Sequence, residues 1–454
     1  VTSGIRVGTP AVTTRGFTEN EMKQIKPTQD SLYYPIPGIC VILALIYLSP
    51  FVNSWLNYAA FLICLYRLVK YDERVFSIDY CCLISAANVF TLPGGFSFVI
   101  VLSLIAEVWL FIRDGLVLDK ALVPLVLLAC YLMSRMQYSV GNFVLCVSQL
   151  LIIHRMISFL DTQTIVWDIK VFILNLAVSS VYALIFRHSS AIIRIVGRGV
   201  AAYFGSSLTR FQGLFRDPNY YMSLVIMSIV LLTLLYFKKY IQKYLFMLGI
   251  ACMLLFGALT YSKTFLFLLC LYWLLCLFYL IRGKRYMLAI AYTTGTVLLA
   301  IFLSNTLFKT TLYRITNTSS VSELTTGRSV LLEVYGREIL SSNRTVLFGK
   351  GMSAQILKKG THNLFLEIQY YTGLIGLILY IFYFGSLIVG IWKKFITNSM
   401  ASKLFNYSPL IVFIALFSSL QGMVSVSVYT LLYLAVISVG IPQNENLQGE
   451  RLLS

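Results

Sequence analysis

Charge is scarce in this chain, and acid is the scarcer half: 36 Lys and Arg face 18 Asp and Glu, and 12% of the residues are charged. With 58% hydrophobic residues and a mean hydropathy of +0.81, so little charge excludes an ordinary soluble domain. Cysteine is missing from the long polar segments, because all nine, from Cys40 to Cys276, fall inside apolar runs. That placement gives neither a disulfide framework nor a zinc site and leaves the thiols as small packing groups. Carboxylates paired at a useful spacing are also missing, which counts against a glycosidase mechanism of the soluble type. The net charge of +18 has no soluble basic domain behind it, so no nucleic-acid partner is expected. Loop lysines and arginines facing anionic lipid account for much of that excess.

What the chain does have is a succession of apolar runs long enough to cross a bilayer, about 12 to 14 of them. The expected fold class is therefore an all-α polytopic membrane protein. Its parts read as a non-membrane N-terminal segment (1–30), transmembrane helices (31–303), a large polar loop (304–363), C-terminal transmembrane helices (364–441) and a tail (442–454). Basic clusters at Arg67, Lys70 and Arg74, at Lys238, Lys239 and Lys243, at Arg282, Lys284 and Arg285, and at Lys393, Lys394 and Lys403 fall on one side when the runs are counted. The positive-inside bias makes that side cytoplasmic.

The opposite side then receives a stretch from 187 to 219 that runs against the bias. It holds Arg187, Arg194, Arg198, Arg210 and Arg216, no lysine and a single acid, Asp217. An outward arginine concentration asks for an anion. Gly213 allows a tight turn, Pro218 and Asn219 mark a break, and Asn219 is placed to cap the following helix, whose dipole favours phosphate. The competing reading puts Arg187, Arg194 and Arg198 against lipid headgroups at an interfacial helix.

Two further outward segments carry candidate chemistry. Ser262 and Lys263 stand at the outer end of a run, where the lysine either binds an anion or snorkels to the headgroups. In the long loop, Thr326-Gly327-Arg328 opens an amphipathic stretch expected to pack Val330, Leu331, Val334 and Tyr335 downward, with Glu333 and Arg337 paired four apart on the wet face. Gly349 and Gly351 follow, and His362-Asn363 closes the loop. Of three histidines, only His362 stands at the junction of the long loop and the membrane. An imidazole there either takes a proton from an attacking hydroxyl or opens the next helix without chemistry. Acids on this face are few: Asp217, Glu323, Glu333, Glu338 and, just inside the next run, Glu367.

In order and on one face, Arg210, Gly213, Asp217-Pro218-Asn219, Thr326-Gly327-Arg328, Gly349 and Gly351, and His362-Asn363 resemble the O-antigen ligase and polymerase superfamily of bacterial surface-polysaccharide assembly. The resemblance runs from Arg210 through the apolar runs after His362. It implies a multi-helix glycosyltransferase of the GT-C type, working at the outer face of the cytoplasmic membrane without metal or other cofactor. The implied donor is an undecaprenyl-pyrophosphate-linked oligosaccharide, with the lipid bilayer and other polysaccharide assembly proteins as partners. By the same resemblance Arg210 holds the donor pyrophosphate, and His362 orients or deprotonates the acceptor hydroxyl. Arg216, Asn219, Lys263, Arg328 and Asn363 bind substrate. Lys263 stands where family members carry a second arginine, and lysine lacks the bidentate fork.

A polymerase that extends repeat units is the expected function. Alternatives are a ligase that moves the finished glycan to a lipid A core or a protein and, in another class, a flippase or transporter of lipid-linked oligosaccharide. Neither the internal repeat nor the mid-membrane polar path common in transporters stands out. Separately, VTSGIRVGTPAVTTRGFTENEMKQI, with Arg6, resembles a C-terminal fragment of serine hydroxymethyltransferase. In that family the matching arginine binds a substrate carboxylate, but the cofactor lysine and the rest of the fold are absent, so about residues 1–28 are expected to be a fusion or gene-calling remnant.

Overall fold

The computed structural model describes residues 36–92, 96–137, 139–203, 206–318, 320, 325, 327–352, 360–395, 405–420, 422–423 and 425–442. The N-terminal segment expected to be a remnant, Glu323, Thr326, Lys403 and nearly all of the expected tail lie outside them.

The described residues form helices over nearly every apolar run. The first half contains α1 (Ile36–Leu48), α2 (Trp55–Lys70), α3 (Glu73–Leu83), a 3-10 turn (Ile84–Ala86), α4 (Phe98–Asp114), α5 (Leu122–Arg135), α6 (Val140–Ser158) and α7 (Thr162–Phe186). A short α8 (Ser190–Val196) and an antiparallel hairpin, β1 (Gly199–Tyr203) with β2 (Ser206–Arg210), occupy the arginine-rich stretch. Then come α9 (Pro218–Phe237), α10 (Lys243–Leu259), α11 (Lys263–Arg282) and α12 (Tyr286–Asn305). The long loop contributes α13 (Lys309–Thr316), α14 (Arg328–Ile339) and α15 (Asn343–Phe348), and the chain returns through α16 (Leu364–Phe395), α17 (Ser408–Phe417) and α18 (Val426–Ser438).

Six of these helices are long and apolar enough to cross a membrane: α6, α7, α9, α11, α12 and α16. Shorter apolar helices of 10–17 residues fill other expected spans. Short polar side chains start many of the helices, serines at Ser97, Ser189, Ser262 and Ser342 and acids at Asp72, Asp161 and Asp217. The Asp161 carboxylate accepts the Thr164 N–H at 2.7 Å, and Asp217 accepts that of Asn219 at 2.7 Å with Pro218 in the first helical turn. Burial sorts the helices by place. Every residue of α18 is buried and α9 is enclosed along most of its length, whereas α12 buries little beyond Ala289 and Leu303. An apolar helix so bare of protein contact suits a lipid-facing position.

Two ends can be told apart by charge. At one, the lysine end, Lys394 donates to the Leu160 carbonyl at 2.5 Å, Arg74 pairs with Asp161 at 3.0 Å, and Arg113 with Glu73 at 2.6 Å. At the other, the arginine end, the hairpin and the starts of α9, α11 and α16 meet the long loop.

Several expectations need correction. The arginine stretch is not wholly helix and turn, because Gly199 pairs with Arg210 and Tyr203 with Ser206 in the hairpin register. Arg67 is no loop charge: it lies buried against Asp79 at 2.7 Å. Cys40, Cys130 and Cys270 are on the helices but exposed, so not every thiol packs in the core. On α14 the buried face is Leu331, Tyr335 and Ile339, packed on Tyr370, while Val330 is exposed. The α-helical i, i+4 spacing of those three explains the shift of face. The Glu333–Arg337 pair forms as expected, on the exposed side.

Gly349 and Gly351 turn out to build a joint. Gly373 interrupts α16 with φ +68, which deprives the Tyr370 and Tyr371 carbonyls of their helical donors. The N–H groups of Lys350 and Gly351 supply the loss at 2.8 and 2.9 Å. A Cβ on Gly349 would lie 2.6 Å from the Gly373 nitrogen, so this close crossing requires glycine on both strands of the joint.

Candidate functional site

The site grows from one turn. Between α10 and α11 the chain reverses through Thr260 to Thr264, with Tyr261 at φ +47 and the Ser262 hydroxyl capping α11. That conformation presents oxygens outward, and arginines from three separate segments converge on them. Arg210, at the end of β2, donates Nε–H to the Thr260 carbonyl at 2.7 Å. Arg314, on α13, donates to the Tyr261 carbonyl at 2.5 Å, and Arg328, at the start of α14, to the Thr264 hydroxyl at 3.0 Å. The Phe211 N–H fixes the hairpin to the same turn through the Leu259 carbonyl at 3.0 Å.

Arg210 is held a second time, by the Asn219 side-chain oxygen at 3.1 Å. Asn219 sits in the first turn of α9, whose cap is Asp217. Gly213, at φ +56, makes the bend between Arg210 and that cap, and a Cβ there would overlap the Tyr221 ring.

Each of these arginine contacts is to a neutral oxygen. Burial, the nearness of Arg314 and that of Arg328 push the Arg210 guanidinium down to about 10, opposed by Asp217. Burial likewise lowers Arg314 and Arg328, with Asp217 opposing at Arg328. Among the described residues Asp217 is the carboxylate within electrostatic reach of Arg210 and Arg328, and Arg314 has none. The N-termini of α9 and α11 add their dipoles nearby. Such an arrangement is suited to an anion of more than one charge, and guanidinium forks suit phosphate oxygens.

His362 lies at the start of the neighbouring α16. Thr361 and Asn363 close a small turn around it, the Thr361 hydroxyl meeting the Asn363 carbonyl at 2.9 Å, and His362 takes φ +49. A left-handed histidine is uncommon and is held there by its flanks. Asn363 is committed to structure: its oxygen caps α16 at the Leu366 N–H, 2.9 Å, and its amide donates to the Ser418 carbonyl, 2.9 Å. One turn on, the Glu367 carboxylate accepts the N–H groups of Gly422 and Met423 at 2.7 and 2.9 Å. Together these bonds lock the start of α16 to the turn between α17 and α18. Tyr220, next to Asn219, lies within electrostatic reach of both Asp217 and Glu367, which puts the arginine cluster and the His362 segment at one end of the bundle.

Of the residues singled out from sequence, Arg210, Asn219 and Arg328 come together, and Lys263 opens α11 in the turn they share. His362 precedes α16 at the same end of the bundle. Arg216 is exposed, as are Arg187, Arg194 and Arg198, with Arg187 donating to His188 at 2.9 Å. Asn363 serves as cap and strut. Sequence reading missed Arg314, although it lies on an amphipathic segment of the long loop, and missed that Glu367 anchors the α17–α18 turn. Among the described residues no three His, Cys, Asp or Glu side chains are grouped to hold a metal ion.

No protein-family model and no solved structure matches the chain.

Proposed function

We propose that this protein is a glycosyltransferase of the cytoplasmic membrane that extends surface polysaccharide from a donor carried on undecaprenyl pyrophosphate. One observation supports it above the rest: three arginines from separate segments converge on the Thr260–Thr264 turn with neutral partners, and among the described residues Asp217 is the acid within reach of Arg210 and Arg328. A pyrophosphate supplies the missing negative charge, and a lipid carrier delivers it at the membrane surface. Under the positive-inside bias the lysine end faces the cytoplasm, so the arginine cluster faces outward, where a flipped lipid-linked glycan is presented.

In this reading Arg210, Arg314 and Arg328 hold the two phosphates and offset the charge that accumulates as the glycan–phosphate bond breaks. Fixed donors already aimed at that charge lower the barrier without reorganising. The acceptor sugar hydroxyl attacks the anomeric carbon, the carrier pyrophosphate leaves, and the hydroxyl proton passes to His362 and on to water. His362 belongs to this scheme by resemblance, and its place at the same end of the bundle as the cluster supports it. A ligase would use the same donor site and differ in the acceptor.

The test is elongation by purified protein in lipid, given a synthetic undecaprenyl-pyrophosphate repeat unit. Longer glycans are expected with the native chain, none with Arg210→Ala and fewer with His362→Ala. Normal elongation by the Arg210 variant overturns the donor site; transport without elongation replaces the enzyme by a flippase.

A further inference from the structure

Carboxylates are costly inside an apolar bundle, and how each is satisfied indicates what it is there for. Among the described helices, Asp79 on α3 is met by Arg67 through two bonds at 2.7 and 2.8 Å and is neutral as a pair. Glu367 on α16 is met by two backbone N–H groups. Asp168 on α7 is wholly buried and receives only hydroxyls, from Ser77 on α3 at 2.9 and 3.1 Å and from Tyr433 on α18 at 2.6 Å. The titratable groups that face it are Tyr433 on α18, Cys81 on α3 and Asp161 at the end of its own helix, none of them a cation.

The hydroxyls around Asp168 can meet it in either state: Ser77, whose oxygen also lies 3.1 Å from the Arg74 carbonyl, can turn its proton there and accept from a protonated Asp168, while Tyr433 donates to the other oxygen. Charge separates the two states. An ionised carboxylate here is wholly buried and met by neutral hydroxyls, without the guanidinium that Asp79 has or the two backbone N–H groups that Glu367 has.

A polar face continues from this point along α18. Thr430 meets the Tyr80 hydroxyl at 3.3 Å, Tyr80 reaches Gln149 at 2.5 Å, and Tyr429 meets Tyr380 at 3.3 Å. Just before the helix, Met423 receives Cys146 on its carbonyl and gives its N–H to Glu367. One fully buried helix thus joins the Asp168 region to the turn that anchors Asn363 and Glu367.

We propose that Asp168 is a proton-binding site of the membrane interior, protonated in the resting bundle and exchanging with water at the lysine end about 10 Å away along α7. Loss of the proton leaves a charge among α3, α7 and α18 with no cation facing it among the described residues. The bundle relieves that cost by displacing α18, which moves the Gly422–Met423 turn and with it the start of α16. Proton binding stands by itself; its coupling to the arginine end rests on the glycosyl-transfer reading.

Infrared difference spectroscopy on the full chain in lipid tests the first part. A carbonyl band of a buried carboxylic acid is expected at neutral pH, lost as the pH is raised and missing in Asp168→Asn; Asp168→Glu, a second variant should Asn fail to fold, shifts it. A band indifferent to both substitutions, unchanged at every pH, or removed by sodium at constant pH overturns the proposal. For the second part, elongation in vesicles is followed at fixed pH on the glycan side while the opposite pH varies. At least a threefold response is expected in the native chain and none in Asp168→Asn; equal responses overturn the coupling. Absence of elongation in the native chain defeats the enzymatic reading and leaves the infrared result to decide proton binding.

Discussion

The arginine cluster and the arginines of α3 and α4 at the lysine end are held in opposite ways. At the lysine end Arg74 and Arg113 meet carboxylates, and Arg155 donates to the Gly115 and Leu110 carbonyls at 2.7 and 2.6 Å with Asp114 at 3.4 Å. At the arginine end, among the described residues, Arg210, Arg314 and Arg328 meet carbonyl, amide and hydroxyl oxygens, with Asp217 within electrostatic reach of Arg210 and Arg328. Charge neutralised inside the protein holds helices together. Charge set in place by neutral dipoles stays available to a ligand, because its field is not cancelled.

The strongest way to break this comparison is Arg210→Ala, which removes the residue fixed by both Thr260 and Asn219. A loss of about 100-fold or more in elongation rate is expected, the scale of deleting one fixed donor to a developing oxyanion. Next in size is Gly373→Ala, which places a Cβ against the Leu347 backbone and forces φ +68 on alanine. Thermal unfolding should show a loss of about 1–3 kcal/mol, since the joint to Gly349 cannot close without strain. An unchanged melting temperature would mean that the joint is not what seats α16.

Smaller changes sharpen the contrast between the ends. Arg314→Gln is expected to weaken donor binding about tenfold, the order of one charge-assisted bond, while leaving the fold intact. Arg155→Gln should do the reverse, lowering thermal stability and leaving the donor KM where it was. If both variants act on KM alike, the two ends are not different in kind. The Arg210 pKa lies near 10, so its cation persists below that value and is lost above it. Donor binding should accordingly hold from pH 7 to 9 and fall as the pH passes about 10. The smallest effect is reserved for Glu333→Gln, since the pair with Arg337 is exposed on both sides. A shift within about 0.5 kcal/mol is expected from thermal unfolding.

Much of this architecture could be read along the chain. Runs such as Val166–Phe186 are too apolar and too long for a surface helix, and helices appear wherever such runs stand. Arg210, Gly213 and Asn219 were legible because bend, cap and cation lie within ten residues of one another. Arg314 was not, because its partner, the Tyr261 carbonyl, is remote in sequence and a backbone oxygen carries no residue signature. The same blindness hid the role of Gly349, which is defined by the carbonyls that Gly373 sets free.

By composition and period alone, the sequence determined a helical membrane protein with an arginine concentration opposite its lysines, since hydropathy and charge are properties of each residue wherever it lies. Only the tertiary structure decided which arginines meet. Arg187, Arg194, Arg198 and Arg216 stay at the surface, while Arg314, from the far loop, joins Arg210 and Arg328 on one turn. Convergence depends on which backbone oxygens the fold turns outward and which cations can reach them, and neither is written in the order of residue types.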